Sequence, residues 1–499
     1  MKRASLYYLA LIVALLVCVV RLISLQIVDG QYYRVLADEN RVKLEIIRAQ
    51  RGVMYDRHGE ILVRNGPEGR EYVYGKDLSQ VLGYVGEVDE SEIELLGLEM
   101  KDVVGKMGIE KEYDKVLRGE DGGVLVETES NGERLREIGR KEPITGESLK
   151  LTIDIGLQKK AVELMGDEKG ALVASNPETG EILALVSSPG FDPKEIEKAL
   201  SNQDLPMFNR AIGGEYAPGS TFKIVTATAG LEENKIDETT EIEDTGEIKI
   251  GDIWRYGNWY YDQYGQKEGF LEITRAIARS NDIFFYKLGE LLGIEMLADW
   301  AKYFGLNHVT EIDLPGESNG LMPDPKWKKD FWDESWFLGD TYISAIGQGN
   351  ILMTPLQVNQ MLSVIASRGK WCQPHLNQGL EIKCQQLDIS VKTLDLVTEG
   401  LRQVCETGET AWPMFDFNVT PRRQGSAGQE AKKIPVAGKT GTAEFGAKDD
   451  KETHAWFSAF APVDEPQIVV TVLKEAAGQG SDEAAPIVRD LFEYWFNRQ

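Results

Sequence analysis

One run of apolar residues, Leu6 to Val20, constrains this chain more than any other feature, because fifteen uncharged residues in a row must leave water for a membrane or a large core. The run continues beyond Arg21 through Leu22, Ile23, Leu25 and Ile27. About 22 residues are therefore available, enough to cross ~30 Å of hydrocarbon with Arg21 snorkelling to the far interface. Lys2 and Arg3 precede the run and no small-x-small cleavage site follows it. The expectation is an uncleaved anchor, in preference to a signal peptide, with the N-terminus cytoplasmic and everything after about residue 28 outside.

What lies outside has to fold on its own core. The chain of 499 residues allows about three units at ~150 residues each, and 42% hydrophobic residues with 10 Trp exclude a disordered acidic tail. A formal charge of -26 would repel a phosphate backbone, so nucleic acid is excluded as a partner. Four His and four Cys, none in a C-x-x-C pair, give no expectation of a metal or other cofactor. Cys18 lies in the apolar run. Cys372 and Cys384 are near enough to close a short loop outside the cell, and two buried free thiols explain the same residues.

Texture divides the exported part. Residues 29–150 are charged and Gly-rich, with short β-like runs at Val42 to Ile47, Gly52 to Tyr55 and Ile61 to Val63, which predicts an elongated, modestly packed α+β module. From residue 151 to 499 the pattern changes. Ala171 to Ser175 and Ile182 to Ser187 flank the turn-rich Asn176-Pro177-Glu178-Thr179-Gly180, which predicts a hairpin. Similar strands recur at Ala455 to Ala461 and Gln467 to Lys474, and Val488, Leu491, Phe492 and Trp495 fall at helical spacing in the last segment. The expected domain is an antiparallel sheet built from both ends of its sequence and flanked by helices, with a helical insertion between. The aromatic cluster Trp254 to Tyr264 reads most simply as a loop with local packing, the alternative being a part in shaping a substrate groove.

Chemistry enters at Pro218-Gly219-Ser220-Thr221-Phe222-Lys223. The turn and the apolar Ile224 to Leu231 place Ser220 in the first turn of a buried helix, with Lys223 one turn on and facing the same side. Burial disfavours an ammonium, so such a lysine can take a serine proton. Alone, S-x-x-K is expected by chance about twice in a chain this long. Ser280-Asn281-Asp282 alone would be a helix N-cap. Lys439-Thr440-Gly441-Thr442 is rarer, since K-T-G has a chance expectation of roughly 0.1 to 0.2.

Together, the three elements are those known as a set in penicillin-binding proteins and class A β-lactamases. The whole chain resembles a class B penicillin-binding protein, a membrane-anchored peptidoglycan D,D-transpeptidase. Arg51 to Gly59 resembles the signature of that family's pedestal; Gly347-Gln348-Gly349, Thr354 to Gln357 and His454-Ala455-Trp456-Phe457 resemble its later active-site segments. Tyr216 to Lys223, Asp282 in place of the commoner Asn, and Asp313 to Glu317 resemble the elongation branch more than the division branch.

The resemblance implies a β-lactamase-like transpeptidase domain on a dimerisation-type pedestal with one transmembrane helix. It implies that Ser220 attacks the D-Ala-D-Ala carbonyl of a stem peptide, that Lys223 accepts its proton, and that Ser280 relays a proton with Lys223 or Lys439. Asp282 would hold Lys223. Lys439 with Thr440 and Thr442 would bind the terminal carboxylate, and Gly441 would leave the strand bare for the peptide. β-Lactams would acylate Ser220, and a SEDS-type glycosyltransferase would supply glycan through the membrane. The rival readings are a septal transpeptidase, a D,D-carboxypeptidase, and a non-catalytic scaffold or β-lactam sensor. A serine β-lactamase fits less well, because no E-x-x-x-N element follows Asp282.

Overall fold

The structure is a computed structural model that describes residues 2–67, 69–129, 133–419, 432–446 and 452–498, with the side chains of residues 2–4, 37–40 and 432 outside the description. Its packing separates two units, residues 1–52 with 115–147, and residues 53–114 with 148–499.

The first unit begins with the helix Lys2–Ile23, which runs on as a wider turn at Ser24–Val28. Within Ser5–Val28 an 18-residue stretch has a mean hydropathy of 2.7 and none of it is buried, which suits a membrane anchor. A polar helix, Gly30–Arg41, leads into the strand Val42–Ile47. That strand pairs antiparallel with Gly122–Thr128, which pairs with Arg134–Lys141. Val124 and Val126 are buried on one face, while Leu44 and its cross-strand neighbour Leu125 are exposed on the other.

The second unit is built on a five-stranded antiparallel sheet in the order Ile182–Ser188, Gly170–Ser175, Ile468–Lys474, Glu452–Ala461 and Ala437–Phe445. The expected hairpin is present, paired from Gly170 opposite Ser188 to Ser175 opposite Ile182. Sequence-distant ends meet where Ala171 pairs with Leu473. The three inner strands and the hairpin strand Ile182–Ser188 are buried along nearly their whole lengths, as expected of a sheet covered on both faces. Ala437–Phe445 forms one edge.

The closing helix Ala485–Asn497 buries Val488, Leu491 and Phe492. Pro355–Ala366 is buried at every position; it starts with Pro355 behind a Thr354–Gln357 capping box. Inside the unit, the Asn359 amide donates to the carbonyls of Val173 and Val469, joining that helix to two strands. The fold is α+β, with the antiparallel sheet flanked by helices.

Residues 53–114, grouped by sequence texture with the preceding module, pack with the sheet-bearing unit. One tie is long in sequence: Asp313 accepts from the Tyr113 hydroxyl (2.8 Å) and from the backbone N–H groups of Leu376 (2.6 Å) and Asn377 (2.9 Å). Cys372 and Cys384, left open by sequence, are disulfide-bonded between two short paired strands. Cys405 is a buried free thiol whose ionisation burial pushes far up.

Candidate active site

Ser220 lies in a tight turn, Gly219–Phe222, from which the buried helix Lys223–Glu232 continues. Gly219 has φ +54°, a conformation open to glycine, and its N–H donates to the Gly347 carbonyl (2.8 Å). Ser220 is half-buried, and its hydroxyl makes no hydrogen bond among the described residues. The Lys223 amine is directed instead to the Ser280 carbonyl (2.8 Å), the Ser280 hydroxyl (3.3 Å) and Asp282 Oδ1 (2.7 Å), and lies 5.3 Å from the centre of the Phe285 ring.

Ser280-Asn281-Asp282 both caps a helix and meets the two buried lysines. Asn281 caps the helix Asp282–Leu292 by accepting from the Phe284 N–H (2.9 Å), as the plain reading expected. Ser280, just before it, has φ +52°, uncommon for a residue with a side chain and typical of functional turns. Its carbonyl and hydroxyl oxygens both receive Lys223 there. Lys439, from the edge strand, donates to the same hydroxyl (2.8 Å) and to the Thr440 carbonyl (3.1 Å). One serine oxygen thus sits between two fully buried amines, with one carboxylate beside them.

That charge balance sets the protonation states. Burial lowers the Lys223 pKa, while the charges of Asp282 and Glu268 act against the fall. Lys439 is pushed well below the ordinary lysine value by burial and by the neighbouring Lys223, with Asp282 opposing.

Gly441 follows a different logic from a bare surface left for a ligand. A Cβ there would lie 3.0 Å from the Pro218 carbonyl oxygen, 3.0 Å from the Trp456 Cβ and 3.1 Å from the Thr221 Cγ2. Glycine is needed because the turn carrying Ser220 lies against the strand. The same closeness appears at Gly219, whose added Cβ would be 2.9 Å from the Thr442 carbonyl oxygen. The Gln348 amide donates to that oxygen (2.9 Å). The Trp456 indole donates to the Ala217 carbonyl (3.0 Å), fixing the far side of the turn.

Sequence reasoning named Ser220, Lys223, Ser280, Asp282 and Lys439, and the structure brings the last four into one hydrogen-bonded cluster with the Ser220 turn packed against the Lys439 strand. Asn258 and Trp259 fall in the aromatic cluster that sequence reasoning read as a loop with local packing or a part of a substrate groove, and it did not find Glu268. The Trp259 N–H donates to Asp282 Oδ2 (3.2 Å), and the Glu268 carboxylate accepts from Asn281 (2.9 Å) and from Arg279. No spacing rule links positions 258 or 268 to 282. A surface cavity of about 820 Å³ lined by Glu233, Trp300 and Tyr303 contains none of the motif residues and does not mark the chemistry.

The chain matches two family models, "Penicillin binding protein transpeptidase domain" over residues 170–493 and "Penicillin-binding Protein dimerisation domain" over residues 67–151. It is 33% identical to a protein named "Peptidoglycan D,D-transpeptidase MrdA" from Acinetobacter baumannii, over 85% of this chain and 66% of that one, so it spans about two thirds of that relative's length. Among solved structures it is similar to Pseudomonas aeruginosa PBP2 in complex with WCK 5153 (31% identity, 91% of this chain and 96% of that one, TM-score 0.77). It is also similar to a chain from a structure described as "Structural coordination of polymerization and crosslinking by a peptidoglycan synthase complex" (28% identity, 99% and 98%, TM-score 0.79).

Proposed function

The chain belongs to the penicillin-binding protein transpeptidase family, and from that premise we propose that it is a peptidoglycan D,D-transpeptidase that crosslinks stem peptides through an acyl-enzyme on Ser220. The observation that carries the reading is the Ser280 hydroxyl shared between Lys223, on the helix that follows Ser220, and Lys439, on the edge strand. A wire of this kind can take a proton from one oxygen and return it to a leaving group.

In the proposed sequence, Lys223 in its amine form accepts the Ser220 proton as Oγ attacks the carbonyl between the terminal D-alanines. The tetrahedral oxyanion is received by the N–H groups of Ser220 and Thr442, which the packing of Gly219 on Thr442 keeps close. The C–N bond breaks, the proton returns through Ser280 to the departing D-alanine, and an amine from a second stem then displaces Ser220 from the ester. Lys439 with Thr440 and Thr442 takes the substrate's terminal carboxylate, whose negative charge favours the charged form of this buried lysine. β-Lactams enter by the same route and stop at the acyl-enzyme.

The role is assigned to wall elongation, on the motif resemblance at Tyr216 to Lys223, Asp282 and Asp313 to Glu317. Residues 1–28 serve as a single-pass anchor with a cytoplasmic N-terminus, 29–150 as the pedestal and 151–499 as the catalytic domain. A SEDS-type glycosyltransferase is the proposed membrane partner, in keeping with the neighbour solved within a peptidoglycan synthase complex. The test is labelling with fluorescent penicillin followed by peptide mass spectrometry, and formation of crosslinked dimers from stem-peptide substrate. Wild type is expected to carry the adduct on Ser220 and to form dimers, and Ser220→Ala to do neither. Dimers made equally by both proteins would refute the enzyme in favour of a scaffold.

A further inference from the structure

Between the strands Ile242–Asp244 and Gly269–Leu271, which pair with each other, the chain makes an excursion. It contains a hairpin, Glu247–Ile250 with Trp254–Gly257, and a short helix, Trp259–Tyr264. Asn258 stands at the joint and is completely buried. It immediately precedes that helix, yet its side chain makes no cap bond. Instead its Nδ2 donates to Asp244 Oδ2 (3.1 Å) and its Oδ1 accepts the backbone N–H of Asp282 (3.2 Å). Asp244 is itself fixed by the N–H groups of Gly246 (2.8 Å) and Glu268 (2.9 Å).

The consequence falls on the next residue. With Asn258 fastened to the Asp282 backbone, the Trp259 N–H is delivered to Asp282 Oδ2 while Oδ1 remains on Lys223. The carboxylate is gripped at both oxygens, one by a fixed peptide group and one by the lysine. We propose that Asn258 and the Trp259 peptide N–H form a positioning clip that holds the Asp282 carboxylate against Lys223 for acylation. This inference rests on the transpeptidase reading of the same site. The clip touches no substrate; it acts through Asp282.

The sign of its effect on the pH profile follows from what surrounds Lys223. Asp282 and Glu268 favour its charged form, the Lys439 beside Ser280 disfavours it, burial disfavours it, and Tyr286 stays a neutral phenol because burial raises its pKa. Release of the clip lets the Asp282 carboxylate turn away, so that burial acts on Lys223 with less opposition and its pKa falls further. Acylation needs the amine form, so the acidic limb of the rate profile then moves to lower pH. The plateau also falls, because the amine is no longer fixed.

The experiment measures the second-order rate of acylation by fluorescent penicillin against pH, on the full-length protein in detergent. Asn258→Ala is expected to move the acidic limb down by about one pH unit and to lower the plateau about tenfold. A second comparison isolates one hydrogen. Trp259 is the first residue of its helix, where proline is tolerated, and Asn258 has the extended backbone (φ -98°, ψ 133°) that a following proline requires. Trp259→Pro and Trp259→Ala lose the same side chain, but only the first loses the N–H. The proline variant is expected to show the lower limb relative to the alanine variant, and this pair decides the matter if Asn258→Ala does not fold. A limb that stays in place or rises, whatever the plateau does, would overturn the clip. Absence of any Ser220 adduct in the wild type would overturn the transpeptidase reading instead.

Discussion

Replacing Gly441 by alanine should separate the two halves of the active site by a small, calculable amount. The new Cβ would meet the Pro218 oxygen and the Trp456 Cβ at 3.0 Å and the Thr221 Cγ2 at 3.1 Å, where ordinary contact begins at 3.4 Å. With Trp456 fully buried and unable to yield, relief of the Pro218 and Thr221 contacts requires the Ser220 turn to retreat from the strand by ~0.4 Å. Overpacking of this kind costs about 1–3 kcal/mol of stability. Displacement by 1 Å at a reacting centre costs about 100-fold in rate, so this retreat predicts about a sixfold loss, equivalent to about 1.1 kcal/mol of activation free energy. The assay is the second-order acylation rate with a fluorescent penicillin, read with the melting temperature. Thr221→Ser supplies the check, since it deletes the crowding methyl while its hydroxyl can still donate to the Pro218 carbonyl as Thr221 does (2.8 Å). In the Gly441→Ala background it should recover part of the rate. A wild-type rate for Gly441→Ala, or a double variant no faster than the single, would refute the argument that the glycine exists for the nucleophile turn.

Two other outcomes follow from the structure. Lys439 has its pKa depressed in the folded state, so between that lowered value and the unfolded value near 10.4 the unfolded chain binds more protons and stability rises with pH. Lys439→Met should therefore remove acylation yet raise the denaturation midpoint at neutral pH and flatten its rise toward pH 10, measured by urea unfolding at several pH values; a steeper rise would contradict the assignment. Reduction of the Cys372–Cys384 disulfide, which closes a loop of sequence separation 12, should cost about 3 kcal/mol in the chain-entropy estimate. A melting temperature unchanged in Cys384→Ser would show that the loop is held by its other contacts.

Much of the catalytic unit was legible because its signals are local. Asn176 to Gly180 dictates a turn between two β-type runs, the apolar residues of Ala485–Asn497 fall on one helical face, and the motifs carry their residues at fixed offsets. What escaped depends on groups far apart in sequence. Tyr113 meets Asp313 across 200 positions, drawing residues 53–114 toward the sheet-bearing unit, and nothing in a charged, Gly-rich composition announces it. Gly441 suggested open space for a ligand, since one sequence position does not say what lies opposite. Asn258 lay unremarked within the aromatic cluster Trp254 to Tyr264, read as a loop with local packing, and only the folded chain shows where its side chain is directed. The disulfide stayed open for the opposite reason: nearness in sequence permits a bond without requiring it.

The central sheet joins Gly170–Ser175 to Ile468–Lys474, a segment made almost 300 positions later. Until that last strand exists, Gly170–Ser175 has only its hairpin partner, and the edge strand bearing Lys439 has only Glu452–Ala461 beside it. Such long closures are slow, since much chain entropy is lost before any contact rewards it. A growing chain therefore already contains Ser220 and Lys223 for more than two hundred residues before the last strand of the sheet beside them is made.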